Sequence, residues 1–239
     1  MELDGRSIGD AWNHVAGVQP DPPTWLVLAT GAAALAAVLP APLWRLSRTI
    51  VTIAHEGGHG LIALLTGRRL SGIRLHSDTS GLTVSSGRPT GPGMILTAAA
   101  GYLAPPLFGL GGAALLASGH ITALLWTAIA LLAGLLIMIR NAFGALSVLV
   151  TGAAFLLVSR YAGDQVRAAF AYLAVWFLLL AGVRPVVELQ RKRRHGGAPE
   201  SDADQLARLT GVTAVLWVTL FLVSALAGLL TGGSWLVGT

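Results

Sequence analysis

The sequence predicts an all-α polytopic membrane protein of about seven transmembrane helices with a small cytoplasmic β-hairpin. Three observations predict it. Hydrophobic residues make up 54% of the 239 residues and charged residues only 11%, too few to cover a water-soluble surface, where about 25% is usual. Long apolar stretches recur along the chain, separated by short polar segments. One segment alone alternates apolar and polar residues with a period of two. The composition excludes a disordered chain. The absence of Cys excludes a disulfide framework and thiolate-held metal. The net charge of +5 does not point to nucleic acid, because the basic residues fall in short runs between apolar stretches.

Residues 1–23 are polar and lack a basic start followed at once by an apolar run, so no cleaved signal peptide is expected there. Trp25 to Leu39 reads as a first span, short for a bilayer, with Trp25 at the interface. Ile50 to Thr66 is a second helix, stopped by Gly67, Arg68 and Arg69. Over 70–86, Ile73, Leu75, Leu82 and Val84 alternate with polar neighbours around Ser77–Asp78–Thr79–Ser80–Gly81, which predicts a hairpin. Four spans follow: Met94 to Leu116, Ile121 to Ile139, Ala142 to Val158 and Ala168 to Val183. Pro105–Pro106 predicts a break or kink in the first of them. A basic linker over 185–205 holds Arg191–Lys192–Arg193–Arg194, a solvated topogenic signal that touches anionic lipid heads. Leu206 to Leu230 is the last span and 232–239 a tail, so that 24–231 forms one membrane-embedded domain. Placing the N-terminus and hairpin in the cytoplasm and alternating the spans puts 12 of the 16 basic residues on the cytoplasmic side. Arg45, Arg48, Arg160 and Arg167 then fall outside.

The residues that carry chemistry are His55–Glu56–Gly57–Gly58–His59, an H-E-x-x-H pattern. Positions i and i+4 of a helix share a face, so the two imidazoles can bind one Zn2+ while the Glu between them takes a proton from water at the metal. Random placement of the chain's His and Glu residues yields this pattern at a rate on the order of 1 in 400. An ionisable Glu56 inside a span costs several kcal/mol unless paired or hydrated, which makes the site functional by default. Gly57, Gly58 and Gly60 weaken a helix but let another backbone approach closely.

The stretch Ala54–His55–Glu56–Gly57–Gly58–His59–Gly60, followed by a hairpin, resembles the site-2 protease class of intramembrane zinc metallopeptidases, and most of all its small bacterial multi-span branch. The likeness is specific over residues 45–90. Downstream it rests on Arg140–Asn141–Ala142–Phe143–Gly144 and Ser201–Asp202–Ala203–Asp204–Gln205–Leu206. It implies a multi-pass protein of the bacterial cell membrane that cuts membrane-protein substrates near the cytoplasmic face, with His55 and His59 on zinc and Glu56 as catalytic base. Better-known members draw a third ligand from a Leu-Asp-Gly motif, which this chain lacks. Asp202 is the favoured replacement, because Ser-Asp-Ala resembles the small branch's downstream motif. Asp204 and His76 remain alternatives. Ser201 or Asp202 can instead cap a helix that carries Gln205 in the capping-box position. Asn141 is the counterpart of the family's Asn, which holds substrate backbone or orients the site, or else caps a helix start. The hairpin edge can pair with an unwound substrate. A scaffold that keeps the metal-binding helix without activity is the rival expectation.

Overall fold

A computed structural model describes residues 15–238 except 197 and 199, so Asp4, Asp10, His14 and Arg6 lie outside the described residues. Helix α1 (Thr24–Val38) ends before Pro40, and α2 (Ala41–Leu65) restarts with Pro40 as its N-cap and Pro42 in its first turn. Proline cannot continue the first helix but suits the opening turn of the second. The two helices meet at a bend of 102°. Strands β1 (Arg69–Leu75) and β2 (Gly81–Ser86) form the expected antiparallel hairpin. Helices α3 (Pro92–Ala117), α4 (Ile121–Met138) and α5 (Ala142–Tyr161) follow, then α6 (Asp164–Ala181), α7 (Val183–Arg194), α8 (Asp202–Thr210) and α9 (Ala214–Val237).

Five helical segments are individually long and apolar enough to cross a membrane: α3, α4, α5, α6 with α7, and α9. The bent pair α1–α2 makes a sixth if it counts as one span. The expectation of seven treats α1 and α2 as two separate spans, and the bend does not bear that out. Helix α1 lies along α6, with Gly31 facing the Trp176 indole and the Val38 carbonyl accepting from Arg184. With α1 aligned to the bundle, a 102° turn sends α2 across it. Pro105 and Pro106 leave α3 unbroken as a helix. Pro106 packs against Gly182 and Gly228, whose missing side chains make room for α6 and α9 to approach.

Two segments differ from their sequence reading. The expected linker 185–205 is mostly helix: α7 continues α6 to Arg194, stabilised by an Arg184–Glu188 pair at 3.0 Å and by basic residues at its C-terminal end. The expected last span is divided at Gly211, whose left-handed φ of 73° closes α8. Helix α9 then runs to Val237 and takes up most of the expected tail 232–239.

The ends of the bundle also sort differently. The backbone N–H of Gln19 donates to the Gly119 carbonyl at 2.8 Å, and its side-chain oxygen accepts from the Thr122 N–H. These partners sit at the end of α3 opposite the hairpin, and the 26 residues of α3 span about 39 Å. Residues 15–23 and the hairpin therefore lie at opposite ends, not on one side as the alternating topology expects. Arg48 pairs with Glu188 at 3.5 Å, so α2's first turns meet α7 near the hairpin end. Together, 13 of the 15 described basic residues gather there, leaving Arg160 and Arg167 at the far end.

Packing follows from these placements. At the far end Val27, Leu116, Leu125, Tyr172, Leu179 and Leu236 form one core. Near the hairpin Ala98, Val186, Leu189, Ala203, Leu206 and Phe221 form another, which ties α8 to α3, α7 and α9. In the hairpin, register pairs Ile73 with Thr83 and Leu75 with Gly81. Ile73 and Leu75 are buried, while Leu82 and Val84 point to the opposite face and stay exposed. The alternation is real, but its two apolar sets do not share a face.

Gly58 marks the tightest helix crossing. A Cβ there would meet the Ala104 methyl and come within 2.9 Å of the Ala100 carbonyl, whereas a Cβ on Gly57 would touch only Leu135 at 3.9 Å. Gly58→Val is expected to destabilise the detergent-solubilised chain by about 1–3 kcal/mol through overpacking, while Gly57→Ala leaves it as stable or slightly more so. Melting followed by size-exclusion recovery reads the difference, and equal behaviour of the two variants would contradict the crossing.

Candidate metal centre

His55 and His59 are one turn apart on α2 and present their Nε2 atoms to each other at 3.1 Å. The ring of His59 is buried, and its Nδ1–H donates to the Thr97 carbonyl at 2.7 Å. That bond fixes the tautomer and leaves Nε2 with a free lone pair, the usual outer support of a metal-binding imidazole. The His55 ring stands edge-on to Tyr102 with centroids 4.8 Å apart, and Tyr102 in turn stacks on Phe221 at 5.1 Å. One imidazole is thus oriented by a hydrogen bond and the other by aromatic packing.

Asp202 completes the cluster. Its Oδ2 lies 3.2 Å from His55 Nε2 and 3.4 Å from His59 Nε2. These three residues form a group able to hold a metal ion. A tetrahedral ion with bonds of about 2.0–2.2 Å keeps neighbouring ligand atoms about 3.3 Å apart, so the spacing fits such an ion. Burial pushes the Asp202 carboxyl up, but His59 and His55 outweigh it and hold the group well below its usual range.

Asp202 reaches the site because Ser201 opens α8. Ser201 accepts from the Asp204 N–H at 3.4 Å and donates to the Asp204 carboxylate at 2.5 Å. Ser201 is the cap and Asp204 occupies the capping-box position expected of Gln205. Asp204 also pairs with Arg193 of α7 and does not belong to the cluster. His76 lies exposed at the hairpin tip, 3.3 Å from Ser80 Oγ, and is likewise outside it.

Glu56 is buried and turned toward the hairpin. Its Oε2 accepts from Thr83 Oγ1 at 2.6 Å, and its carboxylate occupies the space that a side chain at Gly81 would need. Asn141 is committed to β1: its oxygen accepts from the Leu75 N–H at 3.1 Å and its Nδ2 donates to the Leu75 carbonyl at 2.6 Å. It sits at the N-cap of α5 but makes no side-chain capping bond. Sequence reasoning missed Gly101, where a Cβ would run into the imidazoles of His55 and His59, as well as Thr97, Tyr102 and Thr83. None of these carries a motif of its own; their roles come from the α2–α3 crossing and the hairpin register.

A family model for Peptidase M50B-like proteins matches residues 28–232. The chain belongs to the Peptidase M50B-like family. The match spans α2, the hairpin and α8, so every residue of the cluster lies within it. No curated protein and no solved structure matches the chain. Membership in this peptidase family agrees with the resemblance read from residues 45–90 and supports a multi-pass membrane protease.

The geometry separates two neighbouring acids. Asp202→Ala is expected to weaken metal binding by more than the ~10–100-fold that loss of an outer partner costs, whereas Asp204→Ala retains the metal and only loosens the start of α8. Metal content of the purified variants by mass spectrometry checks this. Comparable loss in both would remove Asp202 from the ligand set.

Proposed function

We propose that the chain is a zinc-dependent endopeptidase that hydrolyses peptide bonds of membrane-protein substrates near the cytoplasmic face of the cell membrane. The single observation that carries this reading is the convergence of Asp202 on His55 and His59, with Glu56 on the same helix beneath the hairpin. The donor set of two imidazoles and one carboxylate leaves a fourth position open, the pattern of catalytic rather than structural zinc. When bound, the ion supplies Lewis acidity that polarises the scissile carbonyl and acidifies water.

The chain's own residues supply the rest. Glu56 takes a proton from the attacking water and returns it to the leaving amine. Thr83 holds Oε2 and leaves Oε1 for that exchange. His59, fixed by the Thr97 carbonyl, and His55, fixed by Tyr102, hold their Nε2 atoms in place without rearrangement. Pro105 and Pro106 have no N–H, so the carbonyls of Gly101 and Tyr102 lack their helical donors and are free to accept from water beside the imidazoles.

The substrate is best presented as a strand. Sheet order places β1 on one side of β2 only, and Gly81 and Thr83 of β2 border Glu56. A peptide added to β2's outer edge would run past the carboxylate. Asn141 serves this arrangement by clamping the end of β1 rather than by touching the peptide. An apolar cavity of about 630 Å³, bordered by Ala54, Gly57, Leu61, Leu107 and Leu135, lies on the other flank of α2 and suits the apolar side chains of a membrane segment. The gathering of basic residues at the hairpin end supports a cytoplasmic position for the site. With that orientation residues 15–23 face the opposite side.

Glu56→Gln is expected to keep zinc and lose cleavage by about 10²–10⁴-fold, and chelation followed by zinc addition to restore the wild-type rate. Cleavage of a reconstituted membrane-spanning reporter reads both. A wild-type chain that binds zinc and cuts no more than Glu56→Gln would instead favour a scaffold that retains the metal helix.

A further inference from the structure

The face of α2 that carries the imidazoles also carries cations. Arg45, Arg48, Thr52, His55 and His59 are spaced by three, four, three and four residues and so form one stripe along the helix. Toward the start of α2 this stripe meets α7, where Arg45 and Arg48 share a groove of about 360 Å³ with Arg184, Arg191, Lys192 and Glu188. Glu188 is engaged by Arg48 at 3.5 Å and by Arg184 at 3.0 Å. Arg184 is further committed to the carbonyls of Val38 and Leu39. The side chains of Arg45, Arg191 and Lys192 are exposed and have no partner among the described residues. Three cations that no protein group answers make the groove attractive to carboxylates.

The hairpin indicates which carboxylates. Strand β2 runs beside α2 and in the same direction. At the tip, the Thr52 hydroxyl donates to the Thr79 carbonyl at 2.9 Å. Gly81 lies against the Glu56 carboxylate, and the Thr83 hydroxyl donates to the Glu56 carbonyl at 3.2 Å. Ser85, further along, accepts from Arg68 just beyond the end of α2 at 3.1 Å. A peptide on β2's outer edge that passes Glu56 is thus led, beyond the hairpin tip, over Thr52 toward Arg48 and Arg45. These two precede Glu56 by eight and eleven positions, or about 12 and 17 Å along the helix. An extended chain covers that distance in about four or five residues. The groove also lies where the apolar run of α6 gives way to the charges of α7, the level at which a substrate's membrane segment gives way to polar sequence.

We propose that the α2–α7 groove is a subsite for acidic side chains of the peptide substrate, about four or five residues from the scissile bond on the side of the hairpin tip. The subsite rests on the peptidase reading and adds a substrate class to it: membrane proteins with Asp or Glu on that one flank of the cut. Arg45, Arg191 and Lys192 are its contacts, and Glu188 holds Arg48 and Arg184 in place beside them.

The full chain in neutral detergent is given a membrane-spanning reporter with an Asp-Glu pair about four residues from the scissile bond, on one flank or the other, or with Asn-Gln in its place. Binding of the same reporters to the zinc-loaded Glu56→Gln variant is followed by fluorescence anisotropy, apart from cleavage. The acidic pair is expected to raise kcat/KM and affinity about three- to tenfold on one flank only, and less at high salt. Arg45→Gln and Lys192→Gln, both at exposed positions, are each expected to lose part of this preference, whereas Arg160→Gln, at the far end of the bundle, keeps it. Arg45→Glu/Lys192→Glu is expected to prefer a Lys-Lys pair at the same place. Equal handling of acidic and neutral reporters, the same gain on both flanks, or a preference that disappears in phosphatidylglycerol vesicles, which would assign the groove to lipid, would each overturn the subsite. Preferential binding without cleavage would count for the groove and against the peptidase reading.

Discussion

A carboxylate held against two imidazoles is the interaction on which the rest of the arrangement depends. Asp202 lies within 3.4 Å of both Nε2 atoms, although 143 positions separate it from His59 in the chain. A half-buried anion of this kind is costly unless a cation or donor answers it. To bring the three groups together, α2 must cross the bundle, α3 must pass with no side chain at Gly101, and α6 and α7 must return the chain so that α8 opens beside α2. Each of these placements is costly in isolation. Gly58 and Gly101 give up helix propensity, and α8 is a short helix that packs only through Ala203, Leu206, Ala207 and Leu209. They are consistent with one another only because they converge on one point.

The elbow between α1 and α2 governs where charge lies. Helix α1 ends beside Arg184 at the hairpin end, and a straight continuation would have carried Arg45 and Arg48 out of the bundle there. The bend instead brings them to Glu188 and α7. The same turn exposes the C-terminal carbonyls of α1, which lipid cannot satisfy, and Arg184 supplies the donors. A feature that looks like an interruption of a span is therefore matched, group by group, by the helix packed against it.

Much of this was legible in the sequence, and the limits have physical causes. The spans α3 to α6 and the hairpin stand out because apolar length and period are local properties. The His55–Glu56–His59 helix stands out because a fixed spacing on one helix is also local. Asp202 was within reach because its neighbours resemble a downstream motif, whereas the engagement of Asp204, two residues on, by Ser201 and Arg193 is visible only in the fold. Asn141 carried the right residue type and a different partner, since only the fold shows that Leu75 lies opposite. Two elements misled for the same reason. The basic run 191–194 reads as a loop by composition, yet it completes a helix anchored by its apolar predecessor. Leu39–Pro40 reads as the end of a span, with nothing to say that the next helix leaves sideways. Hairpin register is similarly silent, which is why Leu82 and Val84 were not distinguished from Ile73 and Leu75.

The shortness of α1 has a consequence of its own. Its 15 residues rise about 22 Å, against a hydrocarbon thickness of about 30 Å. A helix this brief beside neighbours of full length imposes hydrophobic mismatch on the adjoining lipid, which responds by thinning locally. Thinning on that flank would bring headgroups and solvent toward the elbow between α1 and α2.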